Sequence, residues 1–159
     1  MHESPADLAR LQSLLDDSIA RASEHLTSIV EPHRRMSAER VVEMMTGMQT
    51  LALATVTVTG EPRVSGVDGH FLRGQWHFTT SGTAVKARHL VARPACSVAH
   101  LRGDDLGVFT HGRAVVTHDP EDWVEEHLVN HYGSSPKTWG PDIVYCRLDP
   151  TWMVGYENR

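Results

Sequence analysis

The 159-residue chain predicts a mainly β protein with flanking helices: a six-stranded β-barrel preceded by a long N-terminal helix. Three observations predict it. From Thr50 onward, six or so short runs rich in β-branched and aromatic residues follow one another, separated by glycine turns. The first third instead carries apolar residues at helical spacing. Helical stretches among the strands are few, which favours a barrel over an open sheet.

Leu8, Leu11, Leu15, Ile19, Ala22, Leu26 and Ile29 recur three and four apart and form one helix face, with Asp16, Asp17, Arg21 and Glu24 largely on the other. Glu31-Pro32-His33 ends this helix, because a residue before proline avoids helical geometry. Ser37 is a good N-cap for a second helix, with Glu39 in its first turn and Val41, Val42, Met44, Met45 and Met48 along it. The methionines read as core packing. Two regions result, a helical extension over 1–36 and a barrel domain over 37–159.

Leu51 to Val58 is the first strand, closed by Thr59-Gly60; Pro62 to Phe71 and Gln75 to Thr80 complete a meander around Arg73-Gly74. A short helix with Ala84, Val85, Ala87, Leu90 and Val91 as apolar positions stops at Arg93-Pro94. Ala95 to Leu101 and Leu106 to Thr117 are two more strands, joined by a turn at Arg102-Gly103-Asp104-Asp105. Asp119 as cap and Pro120 at the first helical position open a helix that runs to Tyr132. After a loop, Ile143 to Leu148 and Met153 to Tyr156 supply the last strand or strands. There is no internal repeat.

Composition bounds the function. Hydrophobic residues are 40% and charged residues 22% of the chain, as in a soluble globular protein. No apolar run is long enough for a membrane helix, and Met1-His2-Glu3-Ser4-Pro5 lacks the start of a secretory leader. Cys96 and Cys146 fit no metal or redox spacing and read as buried thiols, so a reducing, cytoplasmic location is expected. A net charge of −5 argues against a nucleic-acid-coating protein, yet leaves room for a local pocket for one phosphate.

Such a pocket is suggested by Phe78-Thr79-Thr80-Ser81-Gly82-Thr83-Ala84-Val85-Lys86. A strand ends in hydroxyls, a glycine turn follows, and a helix begins. A helix N-terminus offers free N–H groups and partial positive charge to an anion, and Lys86 lies one turn in. The Gly-Lys-Ser/Thr ending of a Walker loop is missing. A capped helix with a solvated lysine has the same spacing, so both readings stand on these residues alone.

The wider order is more specific. A Leu-Ala-Leu-Ala-Thr-Val strand, a Thr-Gly-Glu-Pro turn, Val64-Ser65-Gly66-Val67, Trp76-His77-Phe78-Thr79-Thr80, Lys86-Ala87-Arg88-His89-Leu90, Arg93-Pro94 and His111-Gly112-Arg113-Ala114 follow one another. This resembles the pyridoxamine 5'-phosphate oxidase-like split-barrel family of flavin- and deazaflavin-binding proteins, well over residues 37 to 118 and more loosely beyond. The resemblance implies a homodimer with cofactor sites at its interface. It implies a cofactor phosphate near Thr79, Thr80, Ser81 and Lys86, and a ring system beside Val64, Ser65, Gly66 and Val67. It further implies FMN, a deazaflavin coenzyme such as F-420, or less often haem. The expected activity is hydride transfer between the cofactor and a small organic substrate; the alternative is a non-catalytic cofactor-binding protein.

Several positions depart from the family pattern. Relatives carry arginine beside or two before the lysine, where this chain has Val85 and Ala84; the vitamin B6 oxidases carry an arginine where it has Ser65, and its Arg147-Leu148-Asp149-Pro150 differs from their C-terminal segment. A dedicated vitamin B6 oxidase is therefore not expected. His70, His100 and His111 are candidate acids. His127 and His131, four apart on a helix, lack a third metal ligand and read as packing or surface residues. Trp123, Trp139 and Trp152 read as packing residues or as flanks of a flat cofactor. No nucleophile elbow is present.

Overall fold

The computed structural model describes residues 3–158; Met1, His2 and Arg159, at the ends of the two expected regions and in the leader reading, lie outside them. Helix α1 (Pro5–Ala20) starts in a capping box: Asp7 N–H donates to Ser4 Oγ at 3.2 Å, and Ser4 N–H donates to Asp7 Oδ2 at 2.8 Å. The expected single long helix is broken, because Ser23 caps a separate α2 (Glu24–Ile29) by accepting the Leu26 N–H. The apolar spacing runs on across the break, so periodicity alone does not reveal it. The inner face of α1 is seated on the last strand, where Met153 N–H donates to buried Ser18 Oγ at 2.9 Å. Ser37 caps α3 (Ala38–Met44) as expected, while Met48 belongs to the first strand rather than the helix.

Six strands follow: β1 (Met48–Val56), β2 (Pro62–Leu72), β3 (Gln75–Ser81), β4 (Ala95–Arg102), β5 (Leu106–Thr117) and β6 (Ile143–Glu157). They close in the order β1-β2-β3-β6-β5-β4, every pair antiparallel, with β4 returning to β1. Leu51, Leu53, Trp76, Phe78, Val98, Val108, Leu148 and Met153 fill the barrel, and the Trp76 indole N–H donates to Thr110 Oγ1 at 3.2 Å.

β6 is one strand, its register shifting opposite His111/Gly112 so that Pro150 is accommodated at an irregularity. The close approach there explains Gly112, since a Cβ would stand 2.2 Å from the Asp149 carbonyl oxygen. Helix α4 (Val85–Ala92) bridges β3 and β4, and Ala87 and Leu90 anchor it in the core.

Helix α5 (Asp122–Tyr132) starts later than its sequence signals suggest. Glu121 is the N-cap without a side-chain bond, and Asp119 is drawn into a turn by donating its N–H to Thr117 Oγ1. The helix stops at Gly133, whose φ of +76° suits glycine. Val124 and Leu128 pack it against Tyr145 on the outside of the barrel. Arg102–Asp105 is the expected turn. Cys96 and Cys146 are buried free thiols, pushed up to about 11 and about 12 chiefly by burial. No helix among the described residues is long and apolar enough to cross a membrane.

Candidate functional site

The pairing between β2 and β3 is short. Only His70, Phe71 and Leu72 of β2 meet β3, while Val64 to Val67 pair with Ala54 to Leu51 of β1. On the other strand Phe78 to Ser81 pair with β6 and with no residue of β2. The barrel is therefore split between the first half of β2 and the second half of β3. Two strand edges free of ladder bonds to each other face this split, and they carry the two segments singled out from the sequence.

Strand alternation sorts those residues. Val67 is buried in the core and Ser65, on the same face, is half-buried; Val64 is 72% exposed and Gly66 is open to solvent. The four β2 residues thus do not present one face: Val64 and the bare backbone of Gly66 lie outward, while Ser65 and Val67 lie on the core side. Thr79, Thr80 and Ser81 are half-buried at the end of β3. Ser81 Oγ accepts the Thr83 N–H at 3.2 Å and lies 2.8 Å from Thr83 Oγ1. Gly82 N–H donates to the Asp142 carbonyl at 2.8 Å, which fixes the turn to the start of β6.

Serine side chains cap α1, α2 and α3, whereas the N-cap of α4 is Ala84 with no side-chain bond. The first-turn N–H groups of α4 thus lack a side-chain partner beside the hydroxyls of β3. Among the described residues, Lys86 is half-buried and makes no hydrogen bond or ion pair, and the Thr79 and Thr80 hydroxyls are likewise uncommitted within the chain. His89 lies 3.0 Å from Thr55 Oγ1 and Arg93 donates to the Val56 carbonyl at 2.9 Å, so α4 is held against β1. These donors form a cradle suited to an anion.

Outside the cradle, α5 and the barrel enclose a histidine network. His70, 1% exposed, has Nε2 3.0 Å from the Tyr132 hydroxyl and Nδ1 3.0 Å from His127 Nε2. Burial, then the neighbouring His127, His131 and His77, push its pKa down to about 3. His77 is buried, its Nε2 has no hydrogen-bond partner among the described residues, and burial followed by the Arg147 charge pushes it down to about 4. His77 lines a cavity of about 240 Å³ with Phe78, Val115, Val124 and Leu128.

The candidate acids therefore differ. His70 joins a network, while His100 is tied by its two nitrogens to the Thr50 carbonyl and the Arg102 guanidinium. His111 stacks on Trp152, with centroids 4.6 Å apart. Trp123 lies under the Arg73 guanidinium, and Trp139 is half-exposed against Tyr132. No group of three metal-ligating side chains exists among the described residues. Sequence reasoning missed Asp142 and His118, whose Oδ1 and Nε2 lie 2.9 Å apart beside Gly82. Neither carried a motif, because they stand on either side of α5 in sequence and meet only in the fold.

No protein-family model and no curated protein matches the chain. Solved structures do. A conserved hypothetical protein from Mycobacterium tuberculosis matches with a TM-score of 0.67 at 20% identity, over 81% of this chain and 89% of that one. An F420 Reductase matches with a TM-score of 0.58 at 21% identity, over 70% and 93%. A pyridoxamine 5'-phosphate oxidase-like protein from Listeria innocua matches with a TM-score of 0.57 at 13% identity, over 72% and 91%. In fold, this chain is a split β-barrel of the kind found in pyridoxamine 5'-phosphate oxidase-like proteins.

Proposed function

We propose that the protein is an oxidoreductase that holds a flavin-type cofactor, FMN or a deazaflavin, in the split between β2 and β3, and exchanges hydride with a small organic substrate. The observation that carries this reading is the split itself: its facing edges are Val64 to Val67 and Thr79 to Ser81, and the uncapped start of α4 with Lys86 closes one end. A ring lying there has backbone groups of the β2 edge to meet its polar rim, with Gly66 allowing close approach. Thr79, Ser81, the first N–H groups of α4 and Lys86 hold the phosphate. When bound, the cofactor supplies the hydride chemistry, so the chain need only bind, orient and exclude water.

The site is completed by a second copy in this proposal. The outward side of β1, β2 and β4 presents Ala52, Ala54, Val64, Gly66, Ala99 and Leu101, with Val64 72% and Leu101 54% exposed. A cytoplasmic location accords with two free thiols.

The test is a titration of the purified protein with FMN and with coenzyme F-420, followed by turnover on a panel of reducible substrates. Binding with turnover supports the proposal. Tight binding without any turnover supports a carrier, and a Soret band on adding haem with no flavin affinity overturns the proposal.

A further inference from the structure

On the outside of the barrel, β3, β6 and β5 set His77, Arg147 and Val115 side by side in one cross-strand row: His77 pairs with Arg147, and Arg147 with Val115. Tyr145, two residues along β6 from Arg147, falls on the same face. Helix α5 roofs this row with the buried side chains of Val124 and Leu128. Between roof and floor lies the cavity of about 240 Å³, and none of the residues assigned to the cofactor lines it. Polar contacts hold the roof in place: Tyr145 and Ser135 donate their hydroxyls to Glu125, while His127 and Tyr132 meet His70.

Most polar groups around the cavity are already engaged. The Tyr145 hydroxyl is held by Glu125, the Arg147 guanidinium by Asp149 and Glu121, and Thr117 Oγ1 by the Asp119 backbone. His77 differs: it is buried, and its imidazole bonds no described residue. Burial also keeps the ring neutral at pH 7. A buried polar group without a partner costs stability, and a ligand that bonds it offsets that cost. A neutral imidazole has a donor on one nitrogen and an acceptor on the other. A hydroxyl both donates and accepts, so it suits either tautomer. The Asp119 and Glu121 carboxylates line the cavity against one guanidinium that is already paired, so an anion is disfavoured. An apolar cavity of about 150 Å³ takes up benzene, so this one has room for a single ring with a small substituent. We propose that the cavity beneath α5 is a binding site for a neutral single-ring aromatic alcohol of the phenol class. Its hydroxyl bonds the His77 imidazole and its ring lies among Val115, Val124 and Leu128. The site does not depend on the cofactor proposed above.

The experiment titrates the full chain with phenol, toluene and benzoate by calorimetry, for the wild type, His77→Phe and Val115→Trp, with a melting curve for each. Phenol and toluene share a ring and are nearly equal in size, and a site that bonds a hydroxyl discriminates against the analogue lacking it. The wild type binds phenol at least about tenfold more tightly than toluene, and at least about tenfold more tightly than benzoate. His77→Phe loses the preference for phenol while still taking up toluene, which separates the hydrogen bond from the space. Val115→Trp fills the cavity from its exposed wall and abolishes phenol binding. Absence of phenol binding by the wild type at millimolar concentration overturns the proposal, and so does toluene or benzoate binding as tightly as phenol. A normally melting His77→Phe that keeps the preference, or a normally melting Val115→Trp that binds phenol as the wild type does, also overturns it. The wild-type affinities decide the matter even if neither variant folds.

Discussion

Replacing His77 by phenylalanine should make the protein more stable, not less. The imidazole is 4% exposed and its Nε2 has no hydrogen-bond partner among the described residues. A buried polar atom left without a hydrogen bond costs about 1–3 kcal/mol. Phenylalanine is of similar size, keeps the edge contact with the Trp123 ring, whose centroid lies 5.6 Å away, and removes the orphaned nitrogen. A gain of about 1 kcal/mol at pH 7 is the expected net, after allowing for imperfect repacking.

The same substitution changes the response to acid, and the sign follows from the direction of the shift. The folded-state pKa of His77 is pushed down to about 4 from 6.5. Above 6.5 both states are neutral and the histidine gives no pH dependence. As pH falls below 6.5 the unfolded chain takes up a proton that the folded protein refuses until about pH 4, so stability declines across that window. The slope is at most about 1.4 kcal/mol per pH unit for one group. His70, pushed down to about 3, adds a parallel decline that extends lower. Urea denaturation at several values between pH 7 and 5 reads both effects. The wild type should lose stability steadily, and His77→Phe should start higher and fall with roughly half the slope. A His77→Phe protein that is less stable at pH 7 and equally acid-sensitive would refute the reasoning, because Nε2 would then have a partner in solution.

Lys86→Ala should weaken cofactor binding by about ten- to a hundredfold, as one charge-assisted contact is worth about 1.5–3 kcal/mol. Its melting temperature should stay within error, since Lys86 makes no ion pair among the described residues; unchanged affinity would place the phosphate elsewhere. Gly112→Ala should cost about 3 kcal/mol in a denaturation experiment, because the new Cβ meets the Asp149 carbonyl oxygen at 2.2 Å and a backbone atom cannot swing away. Normal melting of that variant would show that β6 shifts freely at its irregularity. Light scattering at micromolar concentration should give twice 17.7 kDa, and a monomer would count against a site shared by two copies.

The elements that rest on local chemistry can be read from the residues alone. All six strands were legible from β-rich runs bounded by glycine turns, and Ser37 and the Arg93-Pro94 stop were legible as caps and breaks. Two boundaries failed for local reasons too. The apolar spacing from Leu8 to Ile29 outlasts the helix because Ser23 caps a new one, and the Asp119-Pro120 signal was diverted into a turn by the Thr117 hydroxyl. The hydroxyl-rich turn and Lys86 could be read as a cradle because they lie within eight residues of one another.

Features that depend on distant segments emerge only in the folded chain. The split between β2 and β3 is a matter of register, and register is set by which neighbours each strand pairs with, not by its own residues. It also showed that Val67 faces the core while Val64 and Gly66 face out. His70 meets His127 and Tyr132 across 57 and 62 residues of chain, and Asp142 reaches Gly82 with α4, β4, β5 and α5 between them in sequence. Such contacts leave no periodic trace in a sequence, because their partners are chosen by closure of the barrel and the docking of α5 upon it.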